Sequence, residues 1–171
     1  MRIVINDASC LIDLRKAGLL HAALALPFEF HVALPLVEVE LTDFSQAEID
    51  DLKARGLLVV DLSPDLVARA IELRASYGSL SIHDCFCISL SEAIQESMLL
   101  TGDQTLRNRA TALGIEVHGV LWITDQLEAS GAVAYAQILE GLVFLREDPV
   151  VFLPQDEVAT RIERLTKLVE S

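Results

Sequence analysis

Four carboxylates in this chain stand where carboxylates do chemistry. Asp103 follows the apolar run Met98-Leu99-Leu100 and the turn Thr101-Gly102, and a helix-forming segment, Gln104-Thr105-Leu106-Arg107, comes directly after it. Asp7 sits in the same way between Ile3-Val4-Ile5 and the helical spacing of 8–16. In a parallel α/β sheet such strand-to-helix turns lie at the carboxyl ends of the strands, where ligands bind. Glu40 falls on an apolar stripe of Val37, Leu41 and Phe44, in a helix that Pro35 opens, whereas Glu38 points to the side. A carboxylate within an inward-facing stripe is costly unless it is paired or bound to a metal. Asp84 opens the helix at 81–97, whose first half is apolar almost all round and is therefore expected to be buried on several sides. Each acid also has a local explanation: Asp is a preferred N-cap residue, and Ser81-x-x-Asp84 resembles a capping box. Together they suggest a cluster at one end of a parallel sheet. Neighbouring carboxylates repel one another, so such a cluster needs cations at neutral pH. An all-oxygen ligand set suits Mg²⁺ or Mn²⁺, ions that lower the pKa of bound water and stabilise charge on a transferring phosphate. Ser9, two residues past Asp7, is placed to hold a neighbouring carboxylate or a bound water.

The elements that would position these residues alternate. Short apolar runs at 3–5, 28–34, 57–62, 98–100 and 115–117 read as strands. Helical patterns at 8–16, 19–26, 35–44, 45–55, 63–77, 81–97, 104–113, 119–130, 132–146 and 155–170 separate and follow them. Alternation of this kind predicts an α/β fold with a parallel sheet. At 171 residues the chain is one domain, or one domain with an appendage. We expect a domain at 1–125 and a C-terminal helical extension at 126–171, packed on the domain or at an oligomer contact; no constellation in those last residues suggests chemistry. An apolar fraction of 52% allows a sizeable core, and with only 5% aromatic residues that core is expected to be Leu, Ile, Val and Ala.

The net charge of −13 argues against a broad basic face for nucleic acid and fits a cation site, a basic partner, or both. Cys85 and Cys87 form a C-x-C with no second pair at zinc-site spacing, so these and Cys10 read as reduced core residues of a cytoplasmic protein. Arg2 is followed by only three apolar residues, so no signal peptide is expected, and no uncharged apolar stretch is long enough to span a membrane.

The sequence resembles the PIN-domain nucleases, especially VapC-like toxins of type II toxin–antitoxin systems. The resemblance covers about residues 1–125. Its marks are Ile-Val-Ile-Asn-Asp7-Ala-Ser9, Leu-Pro-Leu-Val-Glu-Val-Glu40-Leu, Ile-His-Asp84-Cys-Phe-Cys-Ile-Ser-Leu and Leu-Leu-Thr-Gly-Asp103-Gln-Thr-Leu-Arg107. It implies a three-layer α/β/α fold with a central parallel sheet, plus C-terminal helices. It further implies that Asp7, Glu40, Asp84 and Asp103 are catalytic and bind Mg²⁺ or Mn²⁺, with Ser9 supporting the site and Arg107 orienting a carboxylate or meeting phosphate. The activity implied is endoribonuclease cleavage of RNA through a metal-activated water. The partners implied are the RNA substrate, a cognate antitoxin that inserts a segment into the acidic groove, and a second copy in a homodimer.

Two other readings stand beside this one. A PIN-like protein of little catalytic power, acting as a binding partner, would suit an acidic chain with few Lys and Arg. The other is a magnesium-dependent phosphohydrolase of the haloacid-dehalogenase or receiver kind, of which the dehalogenase type would need Asp-x-Asp at the first strand end. Here Asp7 is followed two places on by Ser9, and no Lys stands near Asp103 to clamp a phosphate.

Overall fold

The computed structural model describes all residues, 1–171. Five strands form one sheet: β1 (Arg2–Asn6), β2 (Phe28–Ala33), β3 (Leu58–Val60), β4 (Met98–Leu100) and β5 (Glu116–His118). Their order is β3-β2-β1-β4-β5 and every pairing is parallel. The chain therefore builds outward from β1 to one side, then returns to continue on the other. The boundary between β1 and β4 is the topological switch point, where crossovers diverge and leave a crevice at the strand ends. Val4, Ile5, Leu99 and Leu100 are wholly buried, as strands covered on both faces must be.

Ten helices cover the sheet. One layer holds α5 (Pro64–Ser76) and α6 (Ile82–Ala93), with α6 lying against β1, β2 and β4. The other holds α1 (Ala8–Lys16) and α2 (Leu20–Leu24), packed with α8 (Val120–Ser130) and α9 (Tyr135–Glu147); α10 (Gln155–Glu170) rests on α9. The shorter α3 (Leu34–Val39), α4 (Gln46–Ala54) and α7 (Gln104–Ala112) complete the connections. This is a three-layer α/β/α fold with C-terminal helices. Ile138, Leu142 and Leu145 of α9 and Val158 and Leu165 of α10 share one buried cluster with the sheet. Helix α9 crosses the α1–α2 junction through Gly141, where a Cβ would stand 2.8 Å from Leu19 Cδ1 and 3.0 Å from the Ala17 carbonyl.

The structure corrects three expected boundaries. The helix expected at 35–44 ends at Val39, and Glu40 is its C-cap. A turn closed by the Phe44 N–H on the Leu41 carbonyl then leads to the Ser45 capping box of α4. The helix expected at 81–97 ends at Ala93, because Ile94 is extended and the Ser97 hydroxyl takes up the Ser91 carbonyl (3.0 Å). The strand expected at 57–62 shortens to Leu58–Val60. The three cysteines are buried and free. No helix is long and apolar enough to cross a membrane.

Candidate active site

Asp7 is the centre of the arrangement. The sheet ladder runs one residue past the strands: the Asp7 N–H donates to the Leu100 carbonyl (2.9 Å) and the Thr101 N–H to the His118 carbonyl (3.0 Å). Asp7 and Thr101 are thereby fixed side by side at the switch point. Asp7 occupies the N-cap position of α1, yet its side chain caps nothing. Its Oδ2 instead accepts the hydroxyls of Ser9 and Thr101, each at 2.8 Å. The carboxyl is buried and has no Lys or Arg beside it, so burial holds its pKa above the ordinary carboxylate value, and the charge of Asp84 adds to this.

Asp84 and Asp103 do carry out the local work that their helix positions allow. Asp84 completes a capping box: its Oδ2 accepts the Ser81 N–H (2.9 Å) while its own N–H donates to Ser81 Oγ (3.0 Å). Asp103 is the N-cap of α7, with Oδ1 accepting the Leu106 N–H (2.8 Å). A carboxylate has two oxygens, and in Asp7, Asp84 and Asp103 side-chain and capping bonds engage only one. Capping and ligation are therefore compatible in the same residue. Asp84 is half-buried, and desolvation raises its pKa, with the Asp103 charge adding to the effect.

Glu40 joins this group from the end of α3. The expected stripe does not put it there, because the helix has stopped. The buried Leu36 and Leu41 on either side of the turn set its direction, and Glu38 is exposed. Burial raises the Glu40 pKa and the charge of Asp7 raises it further, opposed by His83, whose Nδ1 lies 3.1 Å from Oε1. The four acids thus share one electrostatic neighbourhood: Asp84 acts on Asp7, Asp7 and Asp84 act on Glu40, and Asp103 acts on Asp84.

Ser9 bridges the two strand ends, donating to Asp7 and accepting the Gly102 N–H (3.0 Å). Arg107 forms no ion pair with the four acids. Its guanidinium donates to the Thr101 carbonyl (3.2 Å) and fills the space over Gly119, where a Cβ would come within 2.9 Å of it. Sequence reasoning passed over Thr101, which orients Asp7 and also receives the Asp103 N–H (3.0 Å). The Thr-x-Asp spacing was the available signal. It passed over Asp13 as well, a half-buried acid one helical turn beyond Ser9.

The donor set fits a hard divalent cation: uncompensated carboxylate oxygens, each held from behind. No three His, Cys, Asp or Glu side chains close on a single point as they stand.

Residues 3–167 match the family DUF3368, described as a PIN domain. The chain belongs to the PIN-domain family. Among solved structures this PIN domain is similar to a PilT N-terminus domain protein from the hyperthermophilic archaeon Sulfolobus solfataricus P2, at 17% identity over 75% of this chain and 92% of that one, with a TM-score of 0.48. Comparison with curated proteins finds no match. PIN domains are in general nucleases and typically use divalent metals.

Proposed function

We propose that this PIN domain is a Mg²⁺- or Mn²⁺-dependent endoribonuclease, with Asp7, Glu40, Asp84 and Asp103 as its metal-holding and catalytic residues. The observation that carries the reading is Asp7: a buried acid at the switch point, held by two hydroxyls, with no cation of the chain's own beside it. When bound, the ion supplies a water activated for attack on phosphorus and offsets charge on the phosphate. The residues do the rest. Ser9 and Thr101 fix the Asp7 carboxylate. His83 holds Glu40 Oε1. Arg107 secures the turn that carries Asp103 by holding the Thr101 carbonyl.

The finer reading is a toxin of a toxin–antitoxin pair, acting as a homodimer in the cytoplasm and silenced by an antitoxin. The charge of −13 supports it, because an inhibitor with a basic segment would be attracted to this acidic surface. The same charge also favours a second reading, a metal-binding partner protein that does not cleave.

The test is cleavage of a mixed pool of structured RNAs with Mn²⁺, with Mg²⁺ and with EDTA, with Asp84→Asn beside the wild type. Cleavage that needs metal and is lost in Asp84→Asn is the expected result. Equal cleavage by both proteins would mark a contaminant and remove the site assignment. Metal binding without cleavage by either would move the weight to the partner-protein reading.

A further inference from the structure

Beside the carboxylates, beyond Thr101 and Gly102, lies a cavity of about 460 Å³ that none of the roles above uses. Asp13, Gln104, Trp122 and Phe152 are among its walls. Phe152 is 89% exposed, in a chain with only 5% aromatic residues. Its position is enforced by the segment that carries it. Between α9 and α10, Val151 and Leu153 turn inward against the core while Val150 and Phe152 turn outward, the period-two alternation of an extended chain. The segment is pinned where it begins: Asp148 Oδ1 accepts the Val150 N–H (2.9 Å), and Lys16 of α1 pairs with Asp148 at 3.3 Å.

The polar groups of the cavity are unevenly free. Arg161 is engaged with both oxygens of Asp125 (2.8 and 2.7 Å), and Arg107 gives one guanidinium nitrogen to the Thr101 carbonyl. Asp13 has no side-chain hydrogen-bond partner, and the two cations that follow it in sequence pair elsewhere, Arg15 with Glu48 and Lys16 with Asp148. The cavity therefore offers a free acceptor and an aromatic face. A π-face at the mouth with a carboxylate within is chemistry for a flat ring that carries N–H donors on its edge.

We propose that this cavity is a subsite for one unpaired nucleobase next to the scissile phosphate, with Phe152 as its stacking face and Asp13 as the acceptor for its donor edge. Guanine, with two adjacent donors, suits the carboxylate best. The inference rests on the RNA-cleaving reading above and adds a base preference to it. A carboxylate whose pKa burial has raised to about 6 is still ionised, and so an acceptor, at neutral pH.

The test reads binding rather than cleavage. Asp84→Asn protein is titrated in Mg²⁺ with short uridine-rich single-stranded RNAs that hold one central guanosine, adenosine or abasic site, followed by anisotropy and by the fluorescence of Trp122, the only Trp in the chain. Adding Phe152→Ala is expected to weaken binding of the guanosine RNA about tenfold, a typical loss for one stacked base, and Phe152→Tyr to restore it. The abasic RNA should bind alike with Phe152 or Ala. Asp13→Asn should erase the preference for guanosine over adenosine. Tight binding that is indifferent to Phe152→Ala would overturn the subsite and leave the nuclease reading standing. No binding of any RNA would overturn both. Unchanged RNA binding together with loss of self-association in Phe152→Ala would show that Phe152 makes a protein contact instead.

Discussion

The two ends of the sheet treat the same kind of residue in opposite ways. At the amino end, where β1 and β5 begin, Arg2 hydrogen-bonds Glu116 and the Glu96 carbonyl, and this bond holds the Glu116 carboxyl below its ordinary pKa, with His118 helping. Between α8 and α10, Arg161 holds Asp125 and Arg164 holds Glu128 through paired bonds. At the carboxyl end, Asp7, Glu40 and Asp84 are pushed upward by burial and by one another, and no Lys or Arg pairs with them. The acids of these pairs have their counterions supplied by the chain. Asp7, Glu40 and Asp84 have only hydroxyls, backbone N–H groups and one imidazole, so no Lys or Arg of the chain offsets their charge.

The most direct way to break this contrast is Asp7→Asn. An amide keeps the shape and can still accept from Ser9 and Thr101, but it carries no charge. If the site works as proposed, cleavage falls on the order of 10²- to 10³-fold. The metal-free protein should melt at a higher temperature than wild type, because the desolvation that raises the Asp7 pKa is relieved. A structural acid would show the reverse: lower stability and little change in turnover.

Metal should then close the gap between the two ends. With ion at about a hundred times its Kd, binding stabilises the native state by ~2.7 kcal/mol, or about 5–10 °C in melting temperature for a chain of this size. Asp7→Asn should lose most of that rise. The pH dependence follows from the directions of the shifts. A carboxyl raised in the folded state holds a proton there that the unfolded chain has released. Asp7, Glu40, Asp84 and Asp13 (raised to about 6) therefore favour folding at low pH and lose that contribution as pH rises from the ordinary range of 3.8 to 4.5 through their folded values. Glu116 works the other way: its contribution is present above its ordinary value of 4.5 and is lost as pH falls through the lowered one. In EDTA the melting temperature should peak between about pH 4 and 6, and Mg²⁺ should move the peak upward. A profile in EDTA that keeps rising to pH 8 would contradict the contrast.

A smaller effect is expected from the hydroxyls behind Asp7. Ser9→Ala and Thr101→Val each remove one bond to Oδ2 and leave the charge in place. Groups that orient a ligand are typically worth 10- to 100-fold in metal affinity, so the midpoint of a Mn²⁺ titration should shift by that factor, with RNA cleavage at saturating metal largely retained. An unchanged midpoint in both variants would mean that the ladder through Leu100 and His118 positions Asp7 without them.

Much of this was legible in the sequence because strand-to-helix junctions write themselves in short range. Ile3-Val4-Ile5 before Asp7, and Leu99-Leu100 before Thr101-Gly102-Asp103, announce both the strands and where they stop. Parallel order was legible from alternation, but β1 as the central strand was not, since strand order depends on which side each crossover takes. Glu40 was selected by a helical stripe that does not exist: the chain turns at Glu40, and the buried Leu36 and Leu41 direct the side chain. The roles of Thr101 and Asp13 were hidden for a related reason. Each depends on another part of the chain, Thr101 on its bond to Asp7 and Asp13 on the turn at Gly102 that lies beside it, and such neighbours exist only once β1 and β4 lie side by side. Capping and ligation looked like rival explanations for Asp84 and Asp103 because sequence assigns one role per residue, whereas a carboxylate has an oxygen for each.

The smallest effect is expected at the other end of the sheet, from Arg2→Gln. Nearly half of each side chain in the Arg2–Glu116 pair faces solvent, and solvent-exposed pairs contribute little to stability. The melting temperature should therefore fall by no more than about 2–4 °C, and by less in high salt, where the attraction is screened. RNA cleavage and the response to Mg²⁺ should be those of the wild type, because Arg2 stands at the amino end of β1 and Asp7 just beyond its carboxyl end. The comparison is sharpened by doing both substitutions in one protein. If the ends are independent, the effects of Arg2→Gln and Asp7→Asn on melting temperature add, one lowering and the other raising it, as expected for distant sites without shared partners. A clear departure from additivity would mean that the charges at the two ends are coupled through the sheet, and that the acids at the switch point are partly compensated from within the fold.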